Sequence, residues 1–169
     1  MSLYKKTLLI GMDLRKPKIF NDFDLSNEKG LSNFLVGAAN KKDIIQYTAY
    51  ENLDIISSGP IPPNPSELLL DESLSELIEE LKKEYAYIVL DTPPVGLVAD
   101  AFQMMQYSDA NIYMCRQSYT DKNLLKIIDE KYIVKLLKAF HIHKTGKTTK
   151  YEKFWIWYEF VKGDKSPSQ

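Results

Sequence analysis

The 169-residue sequence is poor in several features that identify common classes of protein. It contains one cysteine, Cys115, and two histidines, which excludes a disulfide framework and a thiol metal cluster and is typical of a reducing compartment. No apolar run approaches the ~18 residues that span a bilayer. The first six residues also lack the charged and apolar regions of a signal peptide. These absences predict a cytoplasmic domain.

Net charge is also small, −1 at pH 7, so the composition does not favour nucleic acid as a partner. The charges are nevertheless unevenly spread. Residues 1–129 hold 13 basic and 19 acidic side chains, whereas residues 130–165 hold nine lysines and four acids. Because those lysines are scattered, a solvated face is a better interpretation than a lipid-binding patch. Apolar residues make up 44% of the chain, enough for the core of one domain.

Short apolar runs alternate with helical patterns along the chain. The predicted strands are Thr7–Ile10, Leu53–Ile56, Tyr87–Leu90 and Asn111–Cys115. The predicted helices are Leu31–Val36, Pro65–Glu84 and Asp121–Leu137, the second with Asn64 as its N-cap. Apolar strands without clean alternation, separated by helices, predict an α/β fold: a parallel β-sheet flanked by helices on both faces.

Two acidic residues follow predicted strands directly. Asp91 closes the run AYIVLD before Thr-Pro-Pro, and Asp13 closes TLLIGMD. Ligands of open α/β sheets gather at the carboxyl ends of the strands, and two carboxylates there can hold Mg²⁺ largely through water. The alternative is that each aspartate only caps a turn. Two of them in equivalent positions favour a site.

Four segments, taken in order, resemble the cytoplasmic kinase domain of bacterial tyrosine kinases that control capsular and exopolysaccharide assembly. The segments are TLLIGMDLRKP, GLSNFLVG, ISSGPIPPNPSELL and YAYIVLDTPPVGLVADA. The resemblance covers roughly residues 7–132, and its proline-rich part is the most specific. It implies a P-loop NTPase fold related to partition ATPases, with 1–132 as a partial kinase domain and 133–169 as a divergent basic, aromatic tail.

The resemblance also implies roles for individual residues. Asp13 would help to activate a tyrosine hydroxyl, and Asp91, in the Walker B position, would orient the water shell of Mg²⁺. Both are therefore candidate catalytic residues and metal ligands. Candidate nucleotide contacts at the same edge are Arg15, Thr92, Pro93 and Arg116, although a surface salt bridge explains Arg116 equally well. Tyr151 and Tyr158 are the candidate phosphate acceptors of the tail.

Two departures from the family pattern bear on activity. Gly11 stands where the family commonly has another acid. No GxxxxGK[ST] loop precedes Thr7, because six residues are too few for the strand, loop and helix of such a unit. Gly-Lys-Thr does occur at 146–148, but the first glycine of the motif would then fall on His141. We therefore expect this polypeptide to bind little ATP by itself.

The sequence thus predicts part of an ATP-dependent protein-tyrosine autokinase, with ATP and Mg²⁺ as cofactors of the complete enzyme and none bound by this chain alone. Expected partners are a membrane polysaccharide co-polymerase and further copies of the kinase, at the inner face of the plasma membrane through a partner or a missing N-terminal segment. Two alternatives stay open. One is a catalytically dead module that docks on such a co-polymerase or on a complete kinase, and the other is a partition-type ATPase.

Overall fold

The computed structural model describes residues 5–93, 104–116, 140–145 and 157–162, with the backbone alone for 113–116 and the last two ranges. Seven strands form one sheet: β1 Thr7–Gly11, β2 Ile45–Tyr47, β3 Leu53–Ile56, β4 Tyr87–Thr92, β5 Ala110–Arg116, β6 Phe140–Thr145 and β7 Trp157–Lys162. The helices are α1 Ile19–Asp22, α2 Leu31–Leu35, α3 Lys41–Ile44, α4 Pro65–Leu68 and α5 Glu72–Lys82, with a 3-10 turn at Met105–Tyr107.

The strand order is β2-β3-β1-β4-β7-β5-β6. Strand β1 pairs in parallel with β3 and β4, and β5 pairs in parallel with β6. All four strands expected from the sequence are therefore present, and the α/β prediction is confirmed. The sheet is nevertheless mixed, because β2 pairs antiparallel with β3 and β7 pairs antiparallel with both β4 and β5.

Apolar residues of β1 alternate between two packed layers. Leu8 and Ile10 are fully buried in the larger core, together with the apolar stripe of α5. Leu9 points to the other face, where it packs with Ile55 and Val89. That second layer is covered by Ile19, Phe23 and Leu25, which lie on and just after α1. Helical segments therefore cover both faces of the sheet, as the uninterrupted apolar strands predicted.

The single helix predicted for residues 65–84 is two helices. Helix α4 ends at Leu68, and α5 begins at Glu72 after Asp71 adopts an extended backbone (φ −66°, ψ 141°). Asp71 accepts a hydrogen bond from the Ser73 amide at 2.9 Å, so it caps a new helix instead of continuing the old one. Asn64 does precede α4, but its side chain donates to Glu67 (2.8 Å) and makes no capping bond.

Two further predictions lie outside the described residues: the helix at 121–137 and the domain boundary at residue 132. Strands β6 and β7, from the predicted tail, belong to the same sheet as the rest. Among the described residues, no helix is both long enough and apolar enough to cross a bilayer.

Candidate nucleotide site at the carboxyl edge of the sheet

Asp13 and Asp91 are brought together by the pairing of β1 with β4. Gly11 lies opposite Asp91 in the parallel register, and the Met12 amide donates to the Asp91 carbonyl at 2.8 Å. Asp13 follows immediately. One of its carboxylate oxygens accepts from the amides of Arg15 (3.1 Å) and Lys16 (3.0 Å), which closes a turn at the strand end. The two carboxylates therefore share one edge of the sheet, as the sequence predicted.

The electrostatics of this edge are unfavourable for a second ionised carboxylate. Asp91 is partly buried, and loss of water together with the nearby charges of Asp13 and Asp22 raises its pKa from 3.8 to about 7. Sequence reasoning missed Asp22, the last residue of α1. A four-residue helix gives too little periodicity to show that its end faces the strand edge.

Thr92 and Pro93, the residues after Asp91, are both buried. Thr92 is 2% exposed, and its hydroxyl has no hydrogen-bond partner among the described residues. A buried hydroxyl without a partner is uncommon in a folded protein and usually marks a missing water or ligand.

Arg15 connects the acidic edge to the proline-rich segment. Its side chain is exposed and donates to the hydroxyl of Ser66, in the first turn of α4. Arg116 ends β5 at the same edge of the sheet, and only its backbone is described. The structure thus brings Asp13, Arg15, Asp91 and Thr92 to one region.

A tight polar junction holds the start of the proline-rich segment. Asn27 both donates to the Gly59 carbonyl (2.8 Å) and accepts from its amide (2.9 Å). The Ser32 hydroxyl donates to the Pro60 carbonyl at 2.8 Å. Gly59 has a φ of +79°, and a Cβ there would lie 2.5 Å from the Ser32 oxygen. The GLSNFL and SSGP segments therefore pack against each other, a contact that the sequence did not reveal.

Gly11, at the position where the resemblance led us to expect an acid, lies close to Ser58. A Cβ at this position would lie 2.8 Å from the Ser58 hydroxyl oxygen and 3.2 Å from the Ser58 amide. A side chain at position 11 would therefore require the Ser58 hydroxyl to turn away and the Ser58 backbone to shift slightly.

The donors at this edge fit a magnesium ion with its water shell. Carboxylate oxygens are hard ligands, and Mg²⁺ needs few of them because it retains several waters. Burial, and after it the charges of Asp13 and Asp22, raise the pKa of Asp91, and a divalent cation at this edge would favour the ionised carboxylate. Within the described residues, no group of three or more acidic, histidine or cysteine side chains is arranged to hold a metal by itself. A water-mediated ion at Asp13 and Asp91 is consistent with that arrangement.

Comparisons with known proteins identify similar sequences and similar structures. Over 96 residues the chain is 45% identical to the putative tyrosine-protein kinase CapB of Staphylococcus aureus, and over 118 residues it is 38% identical to the tyrosine-protein kinase YwqD of Bacillus subtilis. The matched residues are 57% and 70% of this chain. The crystal structure of the VpsO kinase domain matches with a TM-score of 0.76 and 32% identity, over 85% of this chain and 72% of that one.

The chain belongs to the family of bacterial tyrosine kinases. It spans about half the length of the curated relatives named above, 42% of CapB and 50% of YwqD. The fold extends to a septum-site protein MinD of Pyrococcus horikoshii, solved with Mg-ADP, at a TM-score of 0.61 and 22% identity over 80% of this chain and 55% of that one. The P-loop NTPase fold expected from the sequence is therefore confirmed. No protein-family model matches the chain.

The two predicted phosphate acceptors are placed differently. Tyr151 lies outside the described residues. Tyr158 is the second residue of β7, in register with Asp91 of β4 and Ile112 of β5. The roles of both tyrosines stay predictions.

Proposed function

We propose that this chain supplies the acidic half of the ATP site of a protein-tyrosine autokinase that regulates capsular or exopolysaccharide synthesis. The observation that carries the proposal is the joint position of Asp13 and Asp91 at the carboxyl ends of adjacent parallel strands. The relatives named as tyrosine kinases support the same reaction.

In this proposal the two aspartates have different tasks. Asp91 orients the water shell of Mg²⁺, and it must be ionised to do so. Asp13, held by the amides of Arg15 and Lys16, stays in place to accept a hydrogen bond or proton from the attacking tyrosine hydroxyl. When bound, the magnesium ion neutralises charge on the transferred phosphate. Thr92, Pro93, Arg15 and Arg116 line the nucleotide side.

The phosphate-binding half is proposed to come from elsewhere. Residues 1–169 contain no GxxxxGK[ST] loop, and such loops provide most of the phosphate contacts in this fold. We therefore expect no turnover from these 169 residues alone. Activity would require further residues, a membrane co-polymerase as activator at the inner face of the plasma membrane, and neighbouring kinase subunits that present tail tyrosines.

A second candidate function is a catalytically inactive module that docks on a polysaccharide co-polymerase or a complete kinase. Gly11 favours it, because the acid expected from the resemblance is absent and a side chain at this position would crowd Ser58. Such a module would keep its fold and its binding surface while losing the use of its acidic edge.

Metal and nucleotide titrations test the first proposal. Mn²⁺, a paramagnetic substitute for Mg²⁺, should broaden the amide signals around Asp13 and Asp91. The effect should disappear in Asp91→Asn and persist in Glu76→Gln, which removes one carboxylate from the exposed side of α5. Unbroadened signals at that edge would refute the acidic half-site.

Calorimetry with Mg-ATP should give no measurable binding to the wild-type chain. Micromolar binding that Asp91→Asn abolishes would show instead that these residues form a sufficient site. The docking alternative predicts that wild type and Asp91→Asn are captured equally well by a complete kinase of this family, whether or not the metal binds.

A further inference from the structure

Three strands, β3, β1 and β4, end side by side at the carboxyl edge of the sheet. Strand β1 lies between the other two and is parallel to both, with Gly11 opposite Asp91 of β4. Leu9 and Val89, two residues earlier in β1 and β4, share the face of the sheet that the segment at and after α1 covers. Because side chains two residues apart in a strand point to the same face, the Asp91 side chain lies on that face, as a side chain at Gly11 would.

Ser58, the second residue after β3, places its hydroxyl on this face as well. A Cβ at Gly11 would lie 2.8 Å from the Ser58 hydroxyl oxygen and 3.2 Å from the Ser58 amide nitrogen. The hydroxyl therefore occupies space that a side chain at position 11 would need. Because Gly11 has no side chain, none separates Ser58, on the β3 side, from Asp91, on the β4 side.

The Ser58 hydroxyl differs from that of its neighbour Ser57 in its hydrogen bonds. Both residues are buried, Ser57 at 0% and Ser58 at 4% exposure. The Ser57 hydroxyl donates to the Lys29 carbonyl (3.1 Å) and accepts from the Gln46 side-chain amide (3.2 Å). Within the part of the chain that the structure describes, the Ser58 hydroxyl bonds to no other group. Buried hydroxyls of this kind generally bond to a water molecule or a ligand.

The other polar groups near Asp91 are acidic. Asp13 follows β1 and Asp22 ends α1, and the charges of both help to raise the pKa of Asp91. A magnesium ion at such carboxylates keeps most of its water molecules. Those waters donate hydrogen bonds to the oxygens around them, and a serine hydroxyl can accept one without adding negative charge.

We infer that Ser58 is a further residue of the magnesium site, whose hydroxyl accepts a hydrogen bond from a water molecule in the shell of the ion. Asp13 and Asp91 hold this shell from the ends of β1 and β4, and Ser58 holds it from the end of β3, across Gly11. Ser58 is a positioning residue, because it acts on the ion through water. The inference rests on the proposed acidic half-site.

Mn²⁺ binding to the full chain, without nucleotide, tests the inference. The electron paramagnetic resonance signal of free Mn²⁺ gives the dissociation constant, and broadening of the Asp13 and Asp91 amide signals locates the ion. Ser58→Ala should weaken binding about tenfold, as is common when a group that supports metal ligands is removed. Ser57→Ala is the matched control and should leave the affinity unchanged, because its hydroxyl is used within the fold.

Urea unfolding of the metal-free chain separates this role from a structural one. Ser57→Ala should lower the urea midpoint, because it removes two hydrogen bonds of a buried hydroxyl. Ser58→Ala should leave the midpoint unchanged or raise it, because the hydroxyl that it removes is buried without a protein partner. A serine with only a structural role would show a lower midpoint and an unchanged affinity for Mn²⁺.

Gly11→Ala perturbs the same hydroxyl from the neighbouring strand. The added Cβ should turn the Ser58 hydroxyl away and weaken Mn²⁺ binding by a similar factor. In a chain that already carries Ser58→Ala, the same substitution should have little further effect on the affinity, because the hydroxyl is gone. The two substitutions should therefore be strongly non-additive.

The outcomes separate this inference from the half-site on which it rests. If Mn²⁺ does not bind the wild type beside Asp13 and Asp91, both are refuted. If Mn²⁺ binds there equally well to the wild type and to Ser58→Ala, only the role of Ser58 is refuted. The same conclusion follows if Ser57→Ala loses as much affinity as Ser58→Ala, or if Ser58→Ala lowers the urea midpoint as much as Ser57→Ala.

Discussion

Replacement of Asp91 by asparagine should stabilise the protein, and increasingly so as the pH rises. Well below pH 3.8 the carboxyl is protonated in both the folded and the unfolded chain, so the substitution changes little. Between the ordinary pKa of 3.8 and the folded-state pKa of about 7, the unfolded chain releases a proton that the folded chain retains. The free energy of unfolding of the wild type therefore falls as pH rises through this window, and above it the full penalty persists.

The magnitude follows from the two pKa values. Their difference of about three pKa units corresponds to ~4 kcal/mol, of which about 2 to 3 kcal/mol develops between pH 5 and pH 8.5. Urea unfolding gives the free energy of unfolding of wild type and of Asp91→Asn at each of these two pH values. The change with pH in the difference between the two proteins is the predicted quantity, and the titration of all other groups cancels in it. Glu76→Gln is the control and should show no such trend.

If the free energies of unfolding of variant and wild type differ by the same amount at pH 5 and at pH 8.5, the reasoning is refuted. Direct titration of the Asp91 carboxyl carbon by NMR with a midpoint below pH 5 would also refute it. Either result would mean that Asp91 is well hydrated and that the charges of Asp13 and Asp22 act on it only weakly. The electrostatic argument for a cation at this edge would then be lost.

Two further substitutions test the packing that supports the site. Gly59→Ala should lower the free energy of unfolding, measured in urea, by more than ~2 kcal/mol, because the positive φ and the approach of Ser32 both oppose a Cβ. The control Gly37→Ala, at φ +73° in open space, should lower it by only about 1 kcal/mol. Equal losses would show that the contact with Ser32 is unimportant. Tyr85→Phe should cost about 2 kcal/mol, because it removes the hydroxyl that donates to the buried Asp54 at 2.8 Å, and an unchanged stability would show that water replaces that bond.

Much of the fold could be predicted because apolar runs are strong signals. The runs at β1, β3, β4 and β5 are short and bounded by turn residues, and each is a strand. The break between α4 and α5 was missed because the leucine periodicity continues through Asp71, whose capping role depends on a single local bond. Strand β2 was missed because its three residues carry too little pattern.

The residues of the site also divide into those that the sequence reveals and those that it does not. Asp13 and Asp91 could be found from sequence because each follows an apolar strand, and parallel strands end at a common edge. Asp22 and the junction of Asn27 with Gly59 depend on contacts between segments far apart in the chain, 32 residues in the second case. The central position of β7 is of the same kind, because the sequence of the tail could indicate a strand but not its neighbours.

The unfavourable features of this molecule are concentrated at one end of the sheet. At the amino end, Asp54 is satisfied by the Tyr85 hydroxyl and by Lys6, whose ammonium lies 3.2 Å from the Asp54 carboxylate. At the carboxyl end, Asp91 has a raised pKa and Thr92 an unused hydroxyl. For the stability of the fold alone, neither the ionisable carboxyl of Asp91 nor the unpaired hydroxyl of Thr92 is favourable. Local instability of this kind is expected where a ligand or a partner completes the structure, so hydrogen exchange should be faster for the amides of Asp91 and Thr92, at the carboxyl end of β4, than for those of Ile88 and Val89.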